Sequence, residues 1–291
     1  MIMVHEIPFY KMVASGNDFV VVDNRKKIVT DAGSFAKKVC ERHNGIGGDG
    51  VLLIENVGAA PRGRPSEGHP QGGAHTDKID YRVRIINADG SEAEACGNGF
   101  RCISLLANQR FGFSNKQRFE SLAGIVDSDV KGTRVRVRLM DPKDYRERKK
   151  IEVSGRELNY HFIRVGVPHV VIFVEGLSKI PVCEIGKAVR FHPEFGPAGT
   201  NVNFVEVAGD HSIHVETYER GVEENTQACG TGSTASAIVS SMAGYVEAPV
   251  QVKTRGGEIL KIDFQKKGKL LVQDVYLEGE ARFVYEGKIV I

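Results

Sequence analysis

Short runs that alternate apolar with polar positions, or string β-branched residues together, recur along most of this chain. "DFVVVD" (18–23), "GVLLIE" (50–55), "IDYRVRIINADG" (79–90), "TRVRVRLM" (133–140), "HVVIFVE" (169–175), "TNVNFVEV" (200–207) and "SIHVETYERG" (212–221) each predict a strand. The strict alternation of 133–140 marks a half-buried one. Helical spacing is rarer. "DAGSFAKKVCERHNG" (31–45) sets Phe35, Val39 and Arg42 on a helical period and stops at Asn-Gly. Segments of about 97–111 and 230–244 predict two more helices, each opening directly after a cysteine. Many strands with a few separate helices place the chain in the α+β class.

The order of these pieces repeats. "GNDFVVVD" from Gly16 lines up with "GVPHVVIF" from Gly166, and "VLLIE" ending at Glu55 with "NFVEV" around Glu206, offsets of 150 and 151. "NADGSEAEACGNG" (87–99) then lines up with "RGVEENTQACGTG" (220–232), an offset of 133. The drop of 17 or 18 falls across "GAAPRGRPSEGHPQGGAH" (58–75), which lacks any large aliphatic residue and reads as a flexible insert. A duplicated unit with an accounted-for gap predicts two homologous lobes related by pseudo-two-fold symmetry.

Composition narrows the picture further. The 291 residues suffice for two ordinary domains, and 41% hydrophobic with 26% charged residues is average for a globular protein. Against 39 Lys plus Arg stand 37 Asp plus Glu, a net charge of +2, so no strong field favours nucleic acid or an acidic membrane. The start lacks a secretory pattern, and no apolar run nears the roughly 18 residues of a spanning helix, so the expectation is a cytoplasmic protein. Five cysteines then read as reduced thiols, not as a disulfide framework.

Two of those cysteines carry the chemistry. Cys96 and Cys229 both stand in Ala-Cys-Gly-x-Gly at a predicted helix start. A thiol ionises at about 8.5 in isolation, and the positive end of a helix lowers that value. The glycines let a ligand approach the backbone, and the free amides of the first turn can hold a substrate carboxylate. Two symmetry-related lobes would set both cysteines on opposite faces of one carbon, which is what stereo-inversion requires: one takes the α-proton, the other returns a proton. Amides at both helix starts could stabilise the deprotonated carbon.

Blander readings compete. A lone cysteine is usually a small buried hydrophobe, and Cys40, Cys102 and Cys183 are read so. Zinc is disfavoured because Cys96 and Cys102 lack a tight ligand spacing and a supporting histidine pair, so no metal is expected. A single cysteine nucleophile with His169 as base would leave the second motif unexplained. "NGIGGDG" (44–50) follows a helix and precedes a strand, the reverse of the dinucleotide fingerprint, and "GPAGTN" (196–201) has no P-loop lysine.

Taken together, "SGNDFVVVDNR", "ERHNGIGGDG", "NADGSEAEACGNGFRC", "GTNVNF" and "YERGVEENTQACGTG" closely resemble the diaminopimelate epimerase family over nearly the whole chain outside 58–75. The resemblance implies two lobes, each a barrel-like, mostly antiparallel sheet around a central helix. The first would be 1–140 with the C-terminal tail 278–291 packing back on it, the second 141–277. It implies a pyridoxal-independent, cofactor-independent epimerase acting on LL- and meso-2,6-diaminopimelate in bacterial lysine and cell-wall synthesis. Cys96 and Cys229 match the two bases, with Cys96 serving the LL form. Gly97, Asn98, Gly230 and Thr231 match the cradle of the reacting carboxylate. Asn17, Asn87, Asn201 and Arg220 match groups at the distal end, and Glu219 and His169 match polar neighbours that hold the ammonium and help set thiol ionisation. The chain departs from the family at "GVPH" (166–169), where Val167 replaces an asparagine, and by one extra residue between Arg220 and Cys229. Rival functions are a racemase of another amino acid, such as histidine or proline, and a non-catalytic amino-acid-binding module. The expected partner is a small amino acid, with a homodimer as the candidate assembly.

Overall fold

The computed structural model describes residues 6–57, 78–153, 155–268 and 271–290. The 58–75 insert therefore lies outside the described residues. In chain order the elements begin β1 (Glu6–Ala14), β2 (Asn17–Asp23), α1 (Ala32–Cys40), β3 (Gly50–Glu55), β4 (Tyr81–Asn87), β5 (Glu92–Ala93), α2 (Gly97–Phe111), β6 (Lys116–Ser121), β7 (Gly124–Lys131) and β8 (Arg134–Arg138). They continue with β9 (Lys143–Val153), β10 (Arg156–Val165), β11 (Val167–Phe173), α3 (Val182–Arg190), β12 (Asn201–Gly209), β13 (Ser212–Glu219), β14 (Glu224–Thr226) and α4 (Gly230–Met242). The last strands are β15 (Val250–Thr254), β16 (Ile259–Lys266), β17 (Val272–Glu280) and β18 (Arg282–Val290). Two compact units result, one running to Val137 and resuming at Ala281, the other spanning Arg138–Glu280. Both are of the α+β class.

Each unit repeats one topology. In the first, β18 and β2 flank β1 antiparallel, β2 runs parallel to β3, β3 antiparallel to β4, and β4 pairs with β5 and, in parallel, with β6. In the second, β9 and β11 flank β10, β11 runs parallel to β12, β12 antiparallel to β13, and β13 pairs with β14 and, in parallel, with β15. The registers reproduce the sequence repeat. Phe19 pairs with Gly50 as His169 pairs with Asn201. They also correct one point of it. Gly50 stands opposite Asn87, and Val202 opposite Tyr218, so the counterpart of Asn87 is Glu219 and not Arg220. The extra residue before Cys229 sits in the β13–β14 hairpin, where Gly221 (φ 94°) and Glu223 (φ 60°) both take left-handed backbone.

Helices occupy both faces of each sheet. In the first unit α2 packs on β1, β2, β3, β7 and β18. On the opposite face α1 buries Phe35, Ala36 and Val39 against Val20, Val22, Val51 and Leu53. Strands β2 and β3 are covered on both sides, which is why they read as unbroken apolar runs. In the second unit α4 packs on β10–β13 and α3 covers Val170, Ile172, Val202 and Phe204. That outer helix approaches closely enough that a Cβ on Gly186 would stand 2.5 Å from Tyr218 Cβ.

The structure differs from expectation at α1, which ends at Cys40, short of the Asn-Gly at 44–45. Glu41 accepts from His43 N at 2.9 Å and turns the chain back there, and Gly45 is needed for that return because its Cβ would meet Lys38 O at 2.5 Å.

Candidate active site

Cys96 is the N-cap of α2. Its backbone is extended (φ −147°), its Sγ accepts from Gly99 N at 3.4 Å, and Phe100 N makes the first helical bond to Cys96 O at 2.8 Å. The amides of Gly97 and Asn98 therefore head the helix and take their acceptors from outside it. Gly99 is small because β3 lies against it: a Cβ there would stand 3.0 Å from Leu52 Cδ2. Asn17, at the start of β2, brings Oδ1 to 3.8 Å from Cys96 Sγ, where it can accept from the thiol. Asn98 is buried and turns its side chain inward, accepting from the buried Arg101 at 2.7 Å, and that guanidinium also donates to Ser15 Oγ at 2.5 Å.

The second unit repeats the arrangement with different neighbours. Cys229 caps α4, its Sγ accepts from Gly232 N at 3.4 Å, and Ser233 N bonds Cys229 O at 2.8 Å. The amides of Gly230 and Thr231 head this helix, and Thr231 Oγ1 lies 3.6 Å from the thiol sulfur. Asn203 stands where Leu52 stands in the first unit. Fully buried, it donates to Val170 O at 2.8 Å, accepts from Thr217 Oγ1 at 2.9 Å, and places Nδ2 3.3 Å from His169 Nδ1. An amide nitrogen only donates, so Nδ1 accepts and Nε2 carries the imidazole proton. Burial, reinforced by the charge of Arg220, pushes the His169 pKa down to about 3. At neutral pH this histidine is an uncharged donor and a poor base, which weakens the reading of it as a nucleophile's partner.

Arg220 follows β13. Its backbone N donates to Asn201 Oδ1 at 2.8 Å, and the buried Asn201 in turn donates to Pro168 O at 3.3 Å. Burial first, and then the nearby cations Arg190 and Arg164, hold the Arg220 pKa below the ordinary arginine value. Those cations favour an anionic partner there. Glu219 accepts from Thr226 Oγ1 at 3.0 Å, and Asn87, exposed at the end of β4, donates to Ser91 Oγ at 2.9 Å.

The sequence model of diaminopimelate epimerase matches residues 9–143 and 161–284. The chain is 43% identical to the diaminopimelate epimerase of Aquifex aeolicus, with 97% of each chain covered. It is 39% identical to that of Methanocella arvoryzae over 98% of this chain and 97% of the other. The chain belongs to the diaminopimelate epimerase family. Solved structures extend the likeness at the level of fold alone. A Bacillus anthracis phenazine biosynthesis protein of the PhzF family superposes with a TM-score of 0.70 at 15% identity, covering 99% of this chain and 100% of that one. A hydroxyproline epimerase from Agrobacterium vitis superposes with a TM-score of 0.68 at 14% identity, covering 98% and 93%.

Membership in this family gives the two helix starts their context. Within the first unit Asn17, Gly97 and Asn98 gather at Cys96, while Asn87 lies at the far end of β4 and spends its amide on Ser91. Within the second, Gly230 and Thr231 gather at Cys229, and Asn201 holds the backbone of Arg220. Asp49 and Arg42 of "ERHNGIGGDG", Asn203 of "GTNVNF", and Thr217 join these groups, though none of them is assigned a role from the sequence. Asp49 belongs to "NGIGGDG", a segment that supplies a carboxylate to Asn17 at 2.6 Å. The other cysteines divide. Cys40 and Cys102 are buried packing residues, and burial pushes the Cys40 thiol up to about 11. Cys183 corrects the expectation of a buried hydrophobe: it sits on the solvent side of α3, a helix absent from the elements expected from the sequence, and is exposed.

Proposed function

We propose that this protein interconverts LL- and meso-2,6-diaminopimelate by two-base proton transfer at the α-carbon, without a cofactor. The observation that supports the two-base reading is the duplicated cap: in two units of one topology, a cysteine sulfur stands 3.4 Å from the amide three residues on, with two leading amides beside it. One thiolate removes the α-proton and becomes a thiol. The other thiol gives its proton to the opposite face and becomes a thiolate, so charge and protons balance and the product leaves the enzyme in the converse ionisation state. Cys96 serves as base for the LL form and Cys229 for the meso form. The leading amides of Gly97, Asn98, Gly230 and Thr231 hold the reacting carboxylate and stabilise charge as it moves toward it. Arg220 holds the distal carboxylate, with Asn201 fixing its backbone. Asn17, Asn87 and Glu219 are proposed as further substrate contacts, and the neutral His169 acts as a hydrogen-bond donor. Cytoplasmic residence suits a biosynthetic enzyme of this kind.

Chiral chromatography of LL-diaminopimelate incubated with the reduced protein, without pyridoxal phosphate, tests the reading. Appearance of the meso isomer is expected. Inversion of histidine or proline with diaminopimelate untouched would transfer the chemistry to another substrate and overturn the assignment.

A further inference from the structure

We propose that Asp49 is a positioning residue: it fixes which atom of the Asn17 amide faces Cys96, and so biases that thiol toward its protonated form. The inference rests on the reading of Cys96 as one of the two proton-transfer groups. Asp49 lies in the turn before β3. Its Oδ2 accepts from Asn17 Nδ2 at 2.6 Å and from Asp18 N at 3.2 Å, while its Oδ1 accepts from Arg42 at 2.9 Å. A carboxylate can only accept, so the NH2 of Asn17 must turn toward it. The oxygen of the same amide is then left to face Cys96, at 3.8 Å. The orientation follows from the chemistry of the partner and not from any choice between two nearly identical atoms.

An amide oxygen accepts from S–H and presents the negative end of its dipole to a thiolate. It therefore favours the thiol. The surrounding charges are arranged to hold Asp49 in place. Lys11 from β1, buried, pairs with Asp18 of β2 at 2.6 Å and donates to Gly47 O. Arg42, following α1, bridges Asp18 at 3.4 Å and Asp49 at 2.9 Å. From α2, the charged group nearest in sequence is Arg101, tied to Asn98 and Ser15.

The second unit is built differently at this point. By strand register the counterpart of Asn17 is Val167, whose side chain carries no amide. Cys229 has the Thr231 hydroxyl at 3.6 Å, which can donate to a thiolate. The counterpart of Thr231 is Asn98, whose side chain is turned away toward Arg101. The two thiols thus differ in these neighbours: an amide oxygen faces Cys96, and a hydroxyl that can donate lies beside Cys229.

The test measures iodoacetamide alkylation of Cys96 and Cys229 against pH, each site followed by peptide mass spectrometry in the full-length free enzyme. Asp49→Ala releases the Asn17 amide, and the Cys96 midpoint is expected to fall by about half a pH unit or more, roughly threefold more thiolate at neutral pH, with Cys229 unchanged. Asp49→Asn keeps one oxygen for Asn17 Nδ2 and is expected to hold the original midpoint. In an Asn17→Ala background, Asp49→Ala is expected to add nothing. Should the alanine variant not fold, Asp49→Ser, whose hydroxyl falls a bond short of Asn17, carries the same expectation. An unshifted Cys96 in a folded variant overturns the proposal. Equal shifts in Asp49→Ala and Asp49→Asn, the signature of a lost charge, overturn it too, as does a shift that persists without Asn17. Because alkylation needs no substrate, a shifted midpoint in a protein that leaves diaminopimelate untouched would sink the proposed function and spare this inference.

Discussion

Gly232 lies so close to Asn203 that a Cβ on the glycine would run into Asn203 Oδ1. The contact couples the start of α4 to the buried amide that holds Val170 O and the His169 ring. Gly232→Ala is therefore expected to cost about 2 to 3 kcal/mol of stability through overpacking and loss of those hydrogen bonds, and to lower turnover sharply. Gly99→Ala comes closest to the tip of Leu52 at 3.0 Å, a flexible side chain that can yield, with Cys96 Cβ at an ordinary 3.5 Å, and is expected to cost less than about 1.5 kcal/mol. Urea unfolding of the two variants orders them; the reverse order would contradict the packing argument.

His169 makes stability depend on pH. Its folded pKa is about 3 against an ordinary 6.5, so between those values the unfolded chain binds the proton and the folded chain does not. Stability is complete above 6.5 and falls as the pH drops through that window, by about 2 kcal/mol at pH 5. His161, also lowered by burial, adds a loss of the same sign. The lowered carboxyls of Asp18 and Asp23 act below the histidine range. His169→Gln keeps an oxygen for Asn203 and should flatten the fall from pH 7 to pH 5. Denaturant midpoints at both values measure it, and an unchanged slope would place the acid sensitivity elsewhere.

Iodoacetamide should separate the structural cysteines by exposure. Cys183 is exposed on α3, whereas Cys40 is buried with its thiol pushed up to about 11. At pH 8 the native protein is expected to be labelled at Cys183 and to spare Cys40, with any loss of activity following the labelling of Cys96 or Cys229 and not that of Cys183. Loss of activity in step with Cys183 labelling alone would contradict its placement outside the site.

Arg220→Met removes the proposed anchor of the distal carboxylate. Charge-assisted hydrogen bonds of roughly 1.5 to 3 kcal/mol predict a KM for diaminopimelate raised about 10- to 100-fold, with a smaller change in kcat. Steady-state kinetics decide it: an unaltered KM would remove Arg220 from substrate binding.

Much of the fold is legible in the amino-acid sequence. Strands β2, β3, β12 and β13 are local, covered on one or both faces, and their apolar runs announce them. The two Ala-Cys-Gly-x-Gly motifs mark α2 and α4, whose periodicity alone could not, because both helices are buried nearly all round and carry small polar residues such as Ser104, Ser233 and Ser236 inside. What stays hidden depends on long-range pairing. Asp49 reaches Asn17 from 32 residues away, and Asn203 reaches His169 from 34, so neither role can be read from spacing. The extra residue before Cys229 is legible in the sequence, but its place in the β13–β14 hairpin, which makes Glu219 the counterpart of Asn87, shows only once Val202 and Tyr218 are paired. The exposure of Cys183 goes unread until α3 is recognised: Val182, Ile185 and Val189 mark the inner face of that helix and leave Cys183 off it.

The proposed action of two thiols in turn on one α-carbon leaves its mark in the isotope content of substrate and product early in the reaction. LL-diaminopimelate is incubated in D2O with the reduced enzyme, and substrate and product are separated and read by proton NMR and mass spectrometry within the first few per cent of conversion. Meso product is expected to carry solvent deuterium at the inverted carbon while the remaining LL substrate keeps its proton, because the group that donates is not the group that abstracts. Meso product that retains the substrate's own proton would contradict it and leave a single base working on both faces.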